Sequence, residues 1–308
     1  MGSIFFLLAV LGCGKDINDV PEEGDSLVPT PEEPSSGDCP DMTQSHTTSF
    51  TSSGQDRTVT IVVPDEPVDN MPLVFFFHGL LDTVSTPNPT QYMANALGLQ
   101  AFANEERAVI VLPQSGVLER MGYEFFMWDI EDGESPDLTL FDDLRSCAYS
   151  DLGIDLFQVH SMGFSGGALF STVVARERSP MLASMVEMSG GSDISMLTFD
   201  EPLSTYTTPE NPVPALLISG GSDDQWPGNG ATLVHFSSAT DTLQDKLVED
   251  GHFVVRCEHN QGHTVPYTAS LAARQWVTSH KLGEPSPIEA SGIDNLENYS
   301  DWCVISGE

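Results

Sequence analysis

Apolar stretches that alternate with helix-like stretches are the feature that most restricts how this chain can fold. Residues 73–77, Leu-Val-Phe-Phe-Phe, form a continuous apolar run, as expected of a strand buried on both faces. Similar β-branched or apolar runs lie at residues 57–63, 108–112, 158–163, 183–188, 215–219 and 252–257. Helix-like stretches lie at residues 91–105, 138–149, 168–178, 240–249 and 268–281. The alternation predicts an α/β fold, with a mostly parallel sheet covered by helices on both faces.

The charge of the chain restricts its partners. Asp and Glu number 46 and Lys and Arg only 11 among the 308 residues, so the formal net charge is −35. Such a surface repels nucleic acids, anionic membranes and polyanionic substrates. We therefore expect a neutral substrate, small or polymeric, and no nucleic acid. The protein is expected to be a monomer.

The first residues are similar to a bacterial lipoprotein signal. Residues 4–11 are apolar and precede Gly12-Cys13, which predicts a signal over residues 1–12 and a lipid on Cys13 after cleavage. The apolar run is short and no Lys or Arg precedes it, so an ordinary buried N-terminus is the alternative. Residues 13–45 are rich in Pro, Glu, Asp, Gly and Ser, which predicts a disordered acidic linker. We expect the folded domain at residues 46–281 and a tail packed on it at residues 282–308.

The remaining cysteines are Cys39, Cys147, Cys257 and Cys303. An even number in an exported chain predicts two disulfides, for which three pairings are possible. Their spacing is not that of a zinc site, so no metal is expected. The protein is predicted to be exported, and either secreted or held at the bacterial envelope through the lipid on Cys13 alone.

The most informative motif is Gly163-Phe-Ser-Gly-Gly167, which fits G-x-S-x-G. It lies between a predicted strand and a predicted helix, where a sharp turn would present the hydroxyl of Ser165 above the sheet. Small residues on both sides allow the strand and the helix to approach closely. The pattern predicts a nucleophilic serine.

The chain resembles the α/β-hydrolases, and more narrowly the secreted polyhydroxybutyrate depolymerase/feruloyl esterase group of bacteria. The resemblance covers residues 55–281 and depends on four segments: Pro72-Leu-Val-Phe-Phe-Phe-His-Gly79, Gly163-Phe-Ser-Gly-Gly167, Ser219-Gly-Gly-Ser-Asp-Asp-Gln-Trp-Pro227 and Gly262-His-Thr-Val-Pro266. It implies an α/β-hydrolase fold, and a serine esterase that needs no cofactor and forms an acyl-enzyme. Residues 189–214, where lids often insert in this fold, contain no long amphipathic helix, so no large lid is expected.

The resemblance also implies a base and an acid, in the chain order Ser, acid, His. His263 in the fourth segment matches the family's histidine loop, whereas His259 is expected to be a surface residue. Two acids are adjacent in the third segment. Asp223 is preferred because Pro227 follows it at the family's distance of four residues, and Asp224 is the alternative. Asp193 is a weaker rival.

The oxyanion hole, the substrate pocket and the reaction can also be predicted. The backbone N–H groups of Gly166 and, by resemblance, Leu80 should form the oxyanion hole, with Leu81 as the alternative to Leu80. Trp226 and Trp128 could line the substrate pocket or simply pack in the core. The expected reaction is hydrolysis of a neutral ester, in a polyester such as polyhydroxyalkanoate or an aromatic polyester, or of a feruloyl-type ester. A peptidase or thioesterase, and a non-catalytic surface-binding lipoprotein, are the alternatives.

Overall fold

The computed structural model describes residues 28–120, 122–131, 133–195, 202–227, 232–293, 296–299 and 301–307. The strands are β1 (His46–Ser52), β2 (Gln55–Val62), β3 (Leu73–Phe77), β4 (Leu81–Asp82), β5 (Val109–Pro113), β6 (Val117–Arg120), β7 (Tyr123–Phe126), β8 (Val159–Phe164), β9 (Ser184–Met188), β10 (Ala215–Ser219), β11 (Gln225–Trp226), β12 (Val234–His235), β13 (Val254–Glu258) and β14 (Cys303–Ile305). The α-helices are α1 (Pro89–Ala96), α2 (Leu99–Glu106), α3 (Pro136–Leu152), α4 (Gly166–Arg178), α5 (Phe236–Glu249), α6 (Tyr267–Val277) and α7 (Pro287–Ser291).

One nine-stranded sheet organises the domain, in the order β1-β2-β5-β3-β8-β9-β10-β13-β14. The six strands from β5 to β13 are parallel to one another, whereas β1, β2 and β14 pair antiparallel at the two edges. The seven strands expected from the sequence all lie in this sheet. The predicted α/β architecture with a mostly parallel sheet is confirmed.

Helices cover both faces of the sheet, because alternate side chains of each central strand point in opposite directions. In β3, Phe75 contacts Phe141 on α3 and Phe77 contacts Phe170 on α4, within a core that also includes α5. Phe76 belongs to the core on the other face, with residues of α1, α2 and α6. All three rings of β3 are fully buried. Full burial of one such side chain stabilises the fold by about 1.5–3 kcal/mol. This explains why the run is apolar without interruption.

The prediction of a disordered linker is wrong for its described part, residues 28–45. Val28 and Met42 are buried, and Arg145 on α3 donates from Nη2 to the carbonyl oxygen of Pro29 over 2.8 Å. The Asp143 carboxylate accepts hydrogen bonds from the backbone N–H and the hydroxyl of Ser35. The small and acidic composition suggested disorder, but these residues bind to α3 more than 100 positions away in the chain. Cys13 and the rest of residues 1–27 lie outside the described residues.

Both expected disulfides are present. Cys39 is bonded to Cys147 and Cys257 to Cys303, with sulfur–sulfur distances of 2.02 and 1.98 Å. The first ties the N-terminal segment to α3, and the second ties β14 to β13. Two disulfides in one chain are typical of exported proteins, because the cytosol keeps thiols reduced. Among the described residues, no helix is long and apolar enough to cross a membrane.

We expect the double variant Cys39→Ser/Cys147→Ser to lose about 2–4 kcal/mol of unfolding free energy. The bond closes a loop between positions 108 residues apart, so removing it returns conformational entropy to the unfolded chain. Urea unfolding followed by tryptophan fluorescence measures the change. Cys13→Ser is the matched control and should leave the midpoint unchanged. An equal midpoint in all three proteins would contradict a stabilising role.

Some elements were not expected from the sequence. Gly98, with φ of 61°, divides the predicted helix at residues 91–105 into α1 and α2. The C-terminal tail packs on the domain through the buried Tyr299, and it also supplies the edge strand β14. A small antiparallel sheet, β4-β7-β6, stands beside the carboxyl ends of the parallel strands. It forms one wall of the cavity described next.

Candidate active site

Ser165 occupies the sharp turn between β8 and α4. Its φ is 57° and its ψ is −123°, a strained conformation for a residue with a side chain. Its backbone N–H donates to the carbonyl oxygen of Met188 over 2.9 Å, which ties the turn to β9. The side chain is largely buried, with 7% of the residue's surface exposed. The strand–turn–helix context expected for G-x-S-x-G is therefore present.

The glycines around Ser165 are required by close contacts. A Cβ on Gly163 would lie 2.2 Å from the carbonyl oxygen of Gly167. A Cβ on Gly167 would lie 2.0 Å from the carbonyl oxygen of Phe77 at the end of β3. Real Cβ atoms do not approach backbone oxygens so closely. Any larger residue at either position would displace the turn that presents the Ser165 hydroxyl.

His263 lies in the loop after β13 and faces Ser165. Its Nε2 is 2.9 Å from Ser165 Oγ. The imidazole is stacked between the rings of Phe164 and Phe236, with centroid distances of 4.8 and 4.4 Å. These two rings hold the orientation of the imidazole, and their faces attract the positive charge that protonation would create. Neither Phe164 nor Phe236 was predicted from the sequence, although Phe164 is the variable residue of G-x-S-x-G.

The acid that contacts His263 is Asp224, so the preference for Asp223 is corrected. Asp224 Oδ1 is 2.7 Å from His263 Nδ1, and its Oδ2 accepts the backbone N–H of Gly220 over 2.8 Å. Asp224 is 1% exposed, whereas Asp223 lies on the exposed side of the short 3₁₀ turn Gly221–Asp223. Neighbouring residues in such a turn point in different directions, so a shift of one position decides which carboxylate faces inward.

Two glycines bring the turn that carries Asp224 close to the loop that carries His263. A Cβ on Gly220 would lie 1.9 Å from the carbonyl oxygen of Gly262, and the Gly262 N–H donates to the Gly220 carbonyl over 3.0 Å. An Nδ1–H donated by His263 to Asp224 leaves the Nε2 lone pair directed at the Ser165 hydroxyl. This is the tautomer that a general base needs.

Two backbone N–H groups lie beside Ser165. A Cβ on Gly166 would be 3.3 Å from the backbone nitrogen of Leu80, so the two residues are in close contact. Neither N–H donates to an acceptor within the described parts of the chain. Leu81, the alternative to Leu80, belongs to β4 instead. Paired free donors next to a nucleophile can bind a developing oxyanion.

Buried hydrogen bonds hold the loop that carries Leu80. The indole N–H of Trp128 donates to the carbonyl oxygen of His78 over 2.7 Å. The Ser115 N–H donates to His78 Nε2 over 3.2 Å, and His78 Nδ1–H donates to the Gly79 carbonyl over 2.7 Å. Complete burial lowers the pKa of His78 to about 4, so the ring is neutral and keeps this pattern. His78 thus shapes the loop that carries Leu80.

A large apolar cavity of about 1070 Å³ opens above Ser165. Trp226 is half-buried in its wall, where a contact with substrate stays a prediction. Trp128 also borders the cavity but is only 2% exposed and stacks on Phe170, so its main role is to support the loop after β3. Within residues 189–195 and 202–214 no helix covers the cavity.

The other candidate residues do not reach Ser165. The carboxylate of Asp193 is 2.8 Å from Lys246 Nζ and forms an ion pair with it. The Nδ1 of His259 accepts the backbone N–H of Gln261, and its ring lies beside Trp302. Burial lowers the pKa of His259. Both residues are explained by these local contacts.

Glu187 on β9 is a fully buried acid that no sequence motif indicated. Its Oε2 accepts the backbone N–H of Gly191 over 2.8 Å, and its Oε1 contacts the Thr172 hydroxyl on α4. The Thr172 hydroxyl also lies 3.4 Å from the Gly191 carbonyl. The Thr172 hydroxyl is the donor to Glu187 Oε1, so both oxygens of the buried carboxyl have a partner. Burial raises the pKa of Glu187 to about 8, in agreement with a neutral carboxyl.

We expect Glu187→Gln to change how stability depends on pH. A folded-state pKa near 8 exceeds the ordinary value of 4.5, so this carboxyl stabilises most below pH 4.5 and progressively less up to pH 8. Gln keeps a donor and an acceptor but cannot ionise. The unfolding free energy of Glu187→Gln relative to the parent should therefore rise by about 1.4 kcal/mol per pH unit in that window. Urea unfolding from pH 5 to 8 measures this, with the exposed Glu249→Gln as control. Parallel curves for parent and Glu187→Gln would refute it.

Comparison with known proteins identifies the fold. No protein-family model matches the sequence, and no curated protein matches it. Among solved structures, native pOPH matches over 87% of this chain and 96% of its own, with a TM-score of 0.63 and 14% identity. A ferulic acid esterase matches over 76% and 97%, with a TM-score of 0.54 and 14% identity. The S-formylglutathione hydrolase FrmB from Staphylococcus aureus matches over 76% and 98%, with a TM-score of 0.52 and 12% identity. At these identities the similarity establishes the α/β-hydrolase fold, and that prediction is confirmed.

Proposed function

We propose that this α/β-hydrolase-fold protein is a serine esterase that hydrolyses neutral carboxylic esters through an acyl-enzyme. The observation that carries the proposal is the hydrogen-bonded chain from Ser165 to His263 to Asp224, with distances of 2.9 and 2.7 Å. A serine hydroxyl is a poor nucleophile unless a base removes its proton, and the base needs a carboxylate to fix its tautomer. The three residues have the contacts that this chemistry requires.

In the acylation step, Ser165 Oγ attacks the ester carbonyl carbon while its proton moves to His263 Nε2. The carbonyl π electrons move to oxygen, and the N–H groups of Gly166 and Leu80 stabilise the resulting oxyanion. Asp224 stabilises the imidazolium without taking its proton. The tetrahedral intermediate then collapses, the alkoxide leaves, and His263 gives it the proton to form the alcohol.

Deacylation repeats the sequence with water. His263 removes a proton from a water molecule, and the hydroxide attacks the acyl carbon. When the second tetrahedral intermediate collapses, Ser165 Oγ leaves and regains a proton from His263, and the acid is released. All proton transfers use one nitrogen of one histidine, and no cofactor takes part.

The shape and charge of the cavity favour a bulky neutral ester. Its volume, about 1070 Å³, lies at the upper end of ordinary small-molecule pockets. Tyr92, Val117 and Tyr123 line it and are 57–63% exposed, so an apolar surface continues from the cavity to the outside. The formal charge of −35 disfavours anionic substrates. We propose a polyester, such as a polyhydroxyalkanoate or an aromatic polyester, or a feruloyl-type ester.

The proposed location is the bacterial envelope or the medium outside it. The two disulfides support export. We propose that a lipid on Cys13 holds the mature protein at the membrane, as the Leu11-Gly12-Cys13 sequence suggests. Mass spectrometry of the protein's N-terminal peptide, from cells that export it, would detect a diacylglyceryl group. An N-terminal peptide without lipid would contradict the anchor.

A fluorophosphonate probe tests the proposed function. We expect one equivalent of probe on Ser165, found by peptide mass mapping, and a parallel loss of hydrolysis of p-nitrophenyl butyrate. A panel of feruloyl esters, hydroxyalkanoate oligomers, aromatic polyesters, thioesters and peptides then ranks the substrate classes. Lack of labelling and of turnover would mean a non-catalytic protein. Faster cleavage of thioesters or peptides would replace the esterase with the corresponding hydrolase.

A further inference from the structure

The wall of the cavity contains a buried ion pair. Arg57 at the start of β2 and Asp137 at the start of α3 both line it, and Arg57 Nη2 is 2.7 Å from Asp137 Oδ1. Their side chains are only 5% and 4% exposed. Among the described residues that line the cavity, Arg57 is the only Lys or Arg.

Some N–H donors of the Arg57 guanidinium have no acceptor within the described part of the protein. It carries five N–H donors, and in the described structure Asp137 is its ion-pair partner. Its Nε is buried without a hydrogen-bond acceptor among the described residues. Nη1 lies beside the cavity wall, 3.9 Å from the position that a Cβ on Gly116 would occupy. Nε is enclosed and cannot reach a ligand, whereas Nη1 has no acceptor among the described residues and lies at the wall. Most buried polar groups have partners, so this unused donor indicates a ligand.

The partners of Asp137 fix the pair in place. Asp137 Oδ2 accepts the backbone N–H of Asp129 over 2.8 Å, while its Oδ1 faces Arg57. Asp129 directly follows Trp128, whose indole holds the loop carrying Leu80. The pair is therefore attached to the same framework as the proposed oxyanion hole.

We infer that the Arg57–Asp137 pair is a substrate subsite that binds an uncharged oxygen acceptor, a hydroxyl or a second ester carbonyl, in the part of the substrate remote from the cleaved bond. The inference rests on the proposed esterase function and narrows its substrate to esters with a further oxygen group. A plain alkyl ester would leave the Arg57 donors without partners.

The charges around the subsite exclude a carboxylate as the ligand. Asp137 already neutralises Arg57, Asp129 lies beside Asp137, and Glu131 also lines the cavity. A second carboxylate would therefore meet a net negative field, and only one cation would attract it. A hydroxyl or carbonyl oxygen accepts a hydrogen bond from Arg57 without this repulsion. Hydrogen bonds to charged donors are also among the stronger ones.

Four p-nitrophenyl esters with acyl chains of equal length test the inference. One chain is all alkyl, one contains an internal ester, one ends in a hydroxyl and one ends in a carboxylate. We expect kcat/KM for the internal ester or the hydroxyl to exceed that of the alkyl chain by about tenfold to a hundredfold, from one charge-assisted hydrogen bond. The difference should appear mainly in KM, because this bond is the same in the ground state and the transition state.

The double variant Arg57→Met/Asp137→Asn removes the guanidinium without leaving a buried unpaired charge. Asn can still accept the Asp129 N–H. We expect kcat/KM for the oxygen-containing ester, divided by kcat/KM for the alkyl ester, to fall to about one. Fluorophosphonate labelling of Ser165 shows that the variant has a formed site. Lys246→Met, which removes one positive charge outside the cavity, is the matched control and should keep the parent ratio.

Three outcomes would overturn the inference. These are a parent enzyme that treats the alkyl and oxygen-containing chains alike, a double variant that keeps the preference, and a carboxylate chain that is the best substrate. Each of them requires measurable ester hydrolysis. Failure of the proposed function itself is different, because it would abolish turnover of all four esters and the labelling of Ser165.

Discussion

Ser165→Ala should fold like the parent and lose about a millionfold in kcat on p-nitrophenyl butyrate. The substitution removes the oxygen that forms the acyl-enzyme, so only direct attack by water remains. That route keeps the residual advantage of about 10³–10⁴ over the uncatalysed reaction that oxyanion donors and binding provide. Initial rates at saturating substrate, with enough enzyme to detect the residual rate, measure the loss. Ala has a Cβ as Ser does, so the strain at φ 57° is unchanged and the thermal midpoint should be equal.

Ser161→Ala is the matched control for this experiment. Ser161 lies in the same strand, β8, and is fully buried, but its hydroxyl has no hydrogen-bond partner among the described residues. Its removal should leave kcat within about twofold of the parent, because surface and packing changes away from the site rarely alter chemistry. A Ser165→Ala enzyme that keeps more than about one per cent of the parent rate would contradict the covalent mechanism, because that loss is far smaller than removal of a nucleophile causes.

The central fold could be predicted because its signals are local. The run at residues 73–77 is apolar at every position, and the structure places β3 at the same bounds, Leu73–Phe77, with both faces buried. The position of Ser165 was predictable for a related reason. The steric demands on Gly163 and Gly167 arise within one turn, so the sequence of that turn records them.

What the sequence did not predict depends on distant partners. The segment at residues 28–45 has the composition of a disordered linker, and distant contacts order it, among them those with Arg145, Asp143 and Cys147 on α3. The Arg57–Asp137 pair likewise joins residues from two elements that composition and periodicity treat separately. Pairings across such separations leave no local pattern in a single sequence.

The error at the acid had a different cause, which is the limited precision of residue counting. The distance of four residues from Asp223 to Pro227 suggested the wrong member of an adjacent pair. The backbone of a 3₁₀ turn rotates by about 120° per residue, so adjacent side chains diverge widely. Gly220, which donates its N–H to Asp224, determines which carboxylate is turned inward.

Asp224→Asn should lower kcat by about 10⁴-fold near pH 7, whereas Asp223→Asn should stay within about threefold of the parent. An Asn side chain can present its NH₂ group to His263 Nδ1, which then accepts instead of donating. The proton moves to Nε2, so the imidazole can no longer remove the proton of the Ser165 hydroxyl. The buried amide also cannot stabilise the imidazolium. Initial rates of ester hydrolysis from pH 6 to 10 measure both effects.

Asp223→Asn is a matched control because it makes the same chemical change one residue away, on an exposed side chain. In Asp224→Asn, the side-chain oxygen of Asn can still accept the hydrogen bond that Gly220 N–H donates over 2.8 Å. The turn is therefore kept, and both variants should fold. A larger loss in Asp223→Asn than in Asp224→Asn would mean that the turn rearranges during turnover and exchanges the two carboxylates. Equal and small losses would mean that His263 needs no carboxylate. The roles proposed for Ser165, His263 and Asp224 would then be wrong.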